Sequence, residues 1–197
     1  MDGVQWLAAS DDMELGYWVL FARELTPADL LTRLGLDVAP NLVLTREEAN
    51  DLADETGDVV IRAGASGGWA YAFLEGGPVG QDSPDAVRRL SRGTEAVDIW
   101  RTVNAHRSLG CAQDGQLVCR FEPARPHERT GTDPDRLVGA MREAGLLPAD
   151  GTSPEEGPVD VDQPELRALA LAESVFRLDL PRAEVLDGRL LSARLTE

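Results

Sequence analysis

Lysine is missing from this chain. All 19 basic residues are arginine, set against 35 acidic ones, and the formal net charge is −16 over 197 residues. A nucleic-acid backbone is held by a basic footprint that releases its counterions, so nucleic acid is not an expected partner. An anionic membrane surface is disfavoured for the same reason. No run of about 18 apolar residues occurs, which argues against a membrane-spanning helix. Met1-Asp2-Gly3-Val4 has neither a basic stretch nor an apolar one, so no signal peptide is expected. The expected location is therefore the cytoplasm. The missing lysine itself fits codon bias in a GC-rich genome.

Histidine is scarce too. His106 and His127 are far apart, and neither has a nucleophile or ligand motif beside it. The densest glycine segment, Gly64 to Gly68, precedes the alternating segment Trp69-Ala70-Tyr71-Ala72-Phe73. A phosphate loop needs a helix N-terminus there, and the Walker type needs a lysine. A hairpin loop is the better reading. No catalytic residue, no metal site and no cofactor are expected.

There are only two cysteines, Cys111 and Cys119, flanking the hairpin signal Asp114-Gly115. A two-residue turn pairs Cys111 with Val118 and mismatches the apolar faces. A three-residue loop, Gln113 to Gly115, pairs Cys111 with Leu117 and restores them. In neither register do the thiols stand directly opposite. Two reduced core thiols are expected, as in a reducing cytosol.

What is present reads as one domain of ordinary apolar content, 43%. A chain of this length buries roughly 70% of its unfolded surface and needs no covalent staple. Thr26-Pro27-Ala28-Asp29 is a helix start, with Thr as N-cap and Pro at the first position. Thr45-Arg46-Glu47-Glu48 fits a capping box. Ser83-Pro84-Asp85, Asp133-Pro134-Asp135 and Gln163-Pro164-Glu165 open three more helices. Strands are expected at 17–22, 58–63, 69–75, 95–102, 108–112 and 116–122, mostly in hairpins. The fold class is α+β: a mostly antiparallel sheet of about six strands, with the 26–35, 83–91 and 133–145 helices on one face. Residues 1–146 form the core domain. Residues 147–163, rich in Pro, Gly and acid, read as a linker. Residues 164–197 read as a helical extension docked on the core.

Candidate binding residues come from the strands. Arg62 and Arg101 sit among apolar positions, and Arg107 resembles them. A part-buried arginine needs a carboxylate, with Glu75 and Glu95 as suitable partners. Trp69 shares a strand face with Tyr71 and Phe73, which reads mainly as core packing. Trp100 has the opposite parity from Val97 and Ile99 and is the better exposed aromatic. The candidate partner- or ligand-binding residues are Arg62, Trp69, Glu75, Trp100 and Arg101.

Several segments together carry a resemblance. They are Phe21-Ala22-Arg23-Glu24-Leu25-Thr26-Pro27 with Arg33-Leu34-Gly35, then Gly67-Gly68-Trp69-Ala70, and Leu90-Ser91-Arg92-Gly93-Thr94-Glu95-Ala96-Val97. Asp114-Gly115 with Phe121-Glu122-Pro123, Asp133-Pro134-Asp135-Arg136-Leu137 and Ala168-Leu169-Ala170-Leu171-Ala172-Glu173 complete it. The chain resembles, over nearly its whole length, a family of uncharacterised actinobacterial proteins classed as a domain of unknown function. The resemblance implies an actinomycete source and carries no established activity. Two functional classes stay open. One is a non-catalytic protein-binding module, of the immunity, antitoxin or regulatory kind, for a basic partner. The other is a small-molecule-binding protein or enzyme.

Overall fold

The computed structural model describes residues 2–10, 13–39, 41–76, 83–148 and 162–195. The elements run α1 (Trp6–Ala9), β1 (Gly16–Arg23), α2 (Pro27–Arg33), β2 (Val43–Leu44), α3 (Arg46–Thr56), β3 (Val59–Ser66), β4 (Trp69–Glu75) and α4 (Ser83–Leu90). There follow β5 (Glu95–Thr102), β6 (Arg107–Gln113), β7 (Gln116–Phe121), α5 (Val138–Glu143), α6 (Asp162–Phe176), α7 (Arg182–Leu186) and β8 (Leu190–Leu195). All strands join one antiparallel sheet in the order β2-β8-β3-β4-β1-β5-β6-β7. The fold is α+β. Among the described residues, no helix is long and apolar enough to cross a membrane.

The sheet has eight strands where the sequence suggested about six. The two extra ones are β2, only two residues long, and β8. Leu190-Leu191-Ser192-Ala193-Arg194-Leu195 contains no β-branched or aromatic residue, so its strand signal is weak. It lies inside the segment read as a helical extension, yet it inserts between β2 and β3. The chain's last strand is therefore part of the sheet. Of the suggested linker at 147–163, residues 149–161 lie outside the described residues.

Helices cover both faces of the sheet, not one. Leu30 and Leu31 of α2 and Ala86, Val87 and Leu90 of α4 pack with Leu20, Ala22, Ala70 and Ala72. On the other face, residues of α1, α5, α6 and α7 pack with Val19, Phe21, Trp69, Tyr71, Phe73, Val97 and Ile99. The reason is visible in β1: Val19, Leu20, Phe21 and Ala22 are all buried, so consecutive residues on opposite faces each have an apolar cover. The helix expected from Asp133 begins only at Val138; the residues before it form turns.

Two helix starts are as the residues suggested. Thr26 accepts from the Asp29 amide and Thr45 from the Glu48 amide, each completing a capping box. The glycine loop is shorter than five residues. Strand β3 runs to Ser66, and the reversal is the pair Gly67-Gly68, both at positive φ (59° and 84°). Gly64, inside β3, is needed bare: a Cβ there would lie 2.3 Å from the Tyr71 hydroxyl oxygen across the ladder.

Irregular chain covers the border of β7 and the part of β8 that β2 leaves unpaired. Thr130 exchanges both backbone hydrogen bonds with Arg120 of β7, and the Thr132 and Asp133 amides donate to the Leu117 and Val118 carbonyls. At the other side the Ser192 amide donates to Leu42 O, and Asp37 bridges to Arg194.

The β6–β7 hairpin overturns the expected cysteine geometry. Its two-residue turn pairs Gln113 with Gln116 and Ala112 with Leu117, and then the register shifts. Val118 is the extra residue of a bulge, and Cys111 stands directly opposite Cys119. Counting on an unbroken ladder could not show this. Both thiols are free and buried.

Candidate functional site

Helix α3 runs alongside β3 and leaves a cleft of about 360 Å³ between them. Arg46, Asn50 and Ala53 of α3 line one wall. Arg62 of β3 with Phe73 and Glu75 of β4 line the other. The ladder pairs Arg62 with Phe73, and Glu75 follows on the same strand face two residues on, so parity delivers all three to one side. Leu15, 65% exposed, stands at the mouth.

Glu75, one of the two carboxylates suggested for the strand arginines, is held by Arg46 instead. Arg46 grips Glu75 with both sides of its guanidinium, Nε to Oε2 at 2.6 Å and Nη2 to Oε1. Arg62 donates Nη2 to the Val185 carbonyl near the C-terminal end of α7. Its Nη1 is enclosed and has no hydrogen-bond partner among the described residues. Arg62 is only 3% exposed, and burial draws its guanidinium below the usual range while Glu75 pulls the other way. An unmet buried donor of this kind costs free energy that an acceptor oxygen reaching it would recover.

The outer surface of α3 is acidic. Glu47, Glu48, Asp51, Asp54 and Glu55 are all exposed, five of its eleven residues. Glu48 is held below the usual carboxylate range, first by Arg189 at 2.8 Å and then by the Thr45 amide. On the far side of α3 lies a second hollow of about 440 Å³, lined by Leu52, Asp37, Asn41 and Arg194.

The other expected site residues lie elsewhere. Trp69 is 1% exposed, its Nε1 donating to Phe176 O at 3.2 Å, with Phe21 edge-on at 6.5 Å and Arg23 over its ring at 4.5 Å. Enclosed in this way, it cannot meet a partner. Arg101 lies 3.5 Å from Glu165, donates to Met13 O and sits 5.5 Å over the Tyr17 ring. Trp100 is half-buried on the opposite face, in register with Trp18 and Ser108. The structure thus brings Arg62 and Glu75 together and separates the remaining three.

Sequence reading missed Glu165 and Arg46. Glu165 of α6 is 3% exposed and collects Arg107, Arg101 and the Tyr17 hydroxyl, the last at 2.7 Å. Neither Glu75 nor Glu95 holds those arginines; Glu95 pairs instead with Arg23 at 3.2 Å. The Glu165 carboxylate ties α6 to the ends of β1, β5 and β6. Burial first, and then Glu165, raise the Tyr17 pKa well above its ordinary value, so Tyr17 stays a donor. Both histidines are exposed. Among the described residues, no group of three or more His, Cys, Asp or Glu is placed to hold a metal ion.

No curated protein and no solved structure matches the chain. A model of a family of unknown function (DUF6461) matches residues 2–180, and with nearly the whole chain inside that match the protein belongs to this family.

Proposed function

We propose that the chain is a non-catalytic binding protein, of the immunity, antitoxin or regulatory kind, whose partner is a basic protein docking on α3. The observation that carries the reading is the row of five exposed acidic residues on α3 between two hollows. The net charge of −16 surrounds that helix with a field of the same sign. Such a field steers a basic partner and speeds its encounter. The cleft beside α3 offers apolar contact at Leu15, which is exposed at its mouth, with the buried Arg62 guanidinium in its wall.

The test is retention of a stoichiometric partner by tagged protein purified from its own host, followed by kinetics. The on-rate should fall by about tenfold as salt rises from low to physiological strength. Replacing Asp51, Asp54 and Glu55 by Asn, Asn and Gln should reproduce most of that fall at low salt. An on-rate indifferent to both would overturn the reading.

A second reading rests on Arg62 Nη1. A buried guanidinium nitrogen without a partner beside a 360 Å³ cleft suits a small polar molecule carrying an acceptor oxygen, in a binding protein or an enzyme. Native mass spectrometry of the purified chain separates the two: a bound metabolite lost on Arg62→Met favours the small molecule. The all-arginine basic set supports an actinobacterial source, and the two free thiols support a reducing, cytoplasmic setting.

A further inference from the structure

We propose that Cys111 and Cys119 are an oxidisable pair that closes to an intramolecular disulfide across the β6–β7 hairpin. The inference is independent of the partner reading and rests on the bulge at Val118. Without that extra residue Cys111 would face Val118. With it the two cysteines are direct cross-strand partners, on the same face and in the same core cluster. Directly opposite residues of an antiparallel pair have Cα atoms about 4.5 to 5.5 Å apart. A disulfide spans about 4.4 to 6.8 Å between Cα atoms, a range that direct cross-strand pairing suits. The two thiols are free.

Access to the pair is one-sided. Cys119 is fully enclosed, and its Sγ donates to Pro134 O at 3.3 Å. Cys111 is 5% exposed and lines a hollow of about 150 Å³ with Glu95, Arg136 and the exposed Val175. A small hydroperoxide therefore reaches Cys111 first. The Cys111 thiolate attacks one peroxide oxygen, the O–O bond breaks, and sulfenic acid and hydroxide form. The Cys119 sulfur then attacks the sulfenic sulfur. The S–S bond forms, the S–O bond breaks, and the thiol proton leaves with the hydroxyl as water. In sum two thiols lose two electrons, and hydrogen peroxide becomes two waters. Burial pushes the Cys111 thiol up to about 12, so the first step is slow and needs sustained oxidant.

Closure has a structural consequence. The Cys119 S–H is the donor that holds Pro134 O, within the segment that caps β7 and leads into α5. A disulfide has no such proton. The oxidised hairpin should loosen the turn at Pro134, while the four backbone hydrogen bonds that hold residues 130–133 on β7 stay in place.

The test uses the full chain, exposed to millimolar hydrogen peroxide under native conditions, then alkylated in denaturant. Both cysteines fall in one arginine-bounded peptide, residues 108–120, so cleavage after arginine keeps them together. Expected is a monomer whose 108–120 peptide is lighter by two hydrogen atoms and unalkylated, with both changes reversed by dithiothreitol. Amide exchange at Arg136, whose N–H donates to Asp133 O across the Pro134 turn, should rise several-fold in the oxidised form. In Cys119→Ser the sulfenic acid on Cys111 should instead be captured by dimedone, with tryptophan fluorescence confirming a native fold. Two fully alkylatable thiols after hours in peroxide, or a disulfide only between two chains, would overturn the proposal.

Discussion

Asp98 and Arg120 meet across the bare backbone of Gly110. The ladder places the three side by side on β5, β6 and β7, and Arg120 Nη2 donates to Asp98 Oδ1 at 2.7 Å. Asp98 is fully buried. A Cβ on Gly110 would lie 2.3 Å from that carboxylate oxygen and 2.8 Å from the guanidinium nitrogen.

Gly110→Ala should therefore force the pair apart. Separating a buried ion pair is expected to cost about 3 kcal/mol or more. Urea unfolding would show this as a lower midpoint at unchanged slope. A variant within about 0.5 kcal/mol of the parent would mean that the pair shifts freely and contributes little.

Glu165 is a second such test. Glu165→Leu leaves Arg101 and Arg107 buried without their carboxylate, and a loss of about 3 to 5 kcal/mol is expected. Tyr17→Phe removes only one hydrogen bond to a charged acceptor and should cost about 2 kcal/mol. If the two variants proved equal in chemical denaturation, the arginines would have to find water or other partners easily.

Alkali should unfold the protein. Burial raises both thiols, Cys111 to about 12 and Cys119 to about 11, and raises Tyr17 and Tyr71 as well. The folded state then holds protons that the unfolded state releases, so stability falls as pH rises. The fall should begin near the ordinary thiol value of 9.0 and steepen beyond the tyrosine value of 10.0. The charges facing the thiols are Glu95 and Arg136 at Cys111, and Arg129, Asp133 and Asp135 at Cys119. Cys111→Ala/Cys119→Ala should flatten the part between pH 9 and 10. Denaturant titrations at each pH would reveal an unchanged slope if the thiols play no part.

Removing residues 189–197 should abolish cooperative folding. β8 lies between β3 and β2, and Leu190 and Ala193 fill opposite cores. Thermal unfolding followed by circular dichroism should show no sharp transition. A truncated chain that melts like the whole one would make β8 an ornament on the sheet.

Local chemistry was legible in the residues, and long-range chemistry was not. Thr26-Pro27 and the Thr45–Glu48 box announce helix starts because a cap is a contact over three residues. β4 and β5 announce themselves by aromatic and β-branched content. β8 has neither and needs its neighbours to become a strand. The bulge at Val118 depends on which face must be buried, so turn residues alone could not place it. Of the candidate site, Arg62 and Glu75 were findable as charges among apolar strand positions. Arg46 looked like any solvated residue of a helix first turn, and Glu165 reaches Arg107 across 58 positions of sequence.

The borders of the sheet limit how this molecule can be recognised. Along β7 the carbonyls of Leu117 and Val118 and both polar groups of Arg120 are already taken by residues 130–133, and β2 is two residues long. An incoming chain therefore cannot zip onto β7 as another rung, and β2 offers it only a two-residue border. What docks here must read protruding side groups and their charge, and crowded copies of the protein should resist stacking into fibrils through these borders.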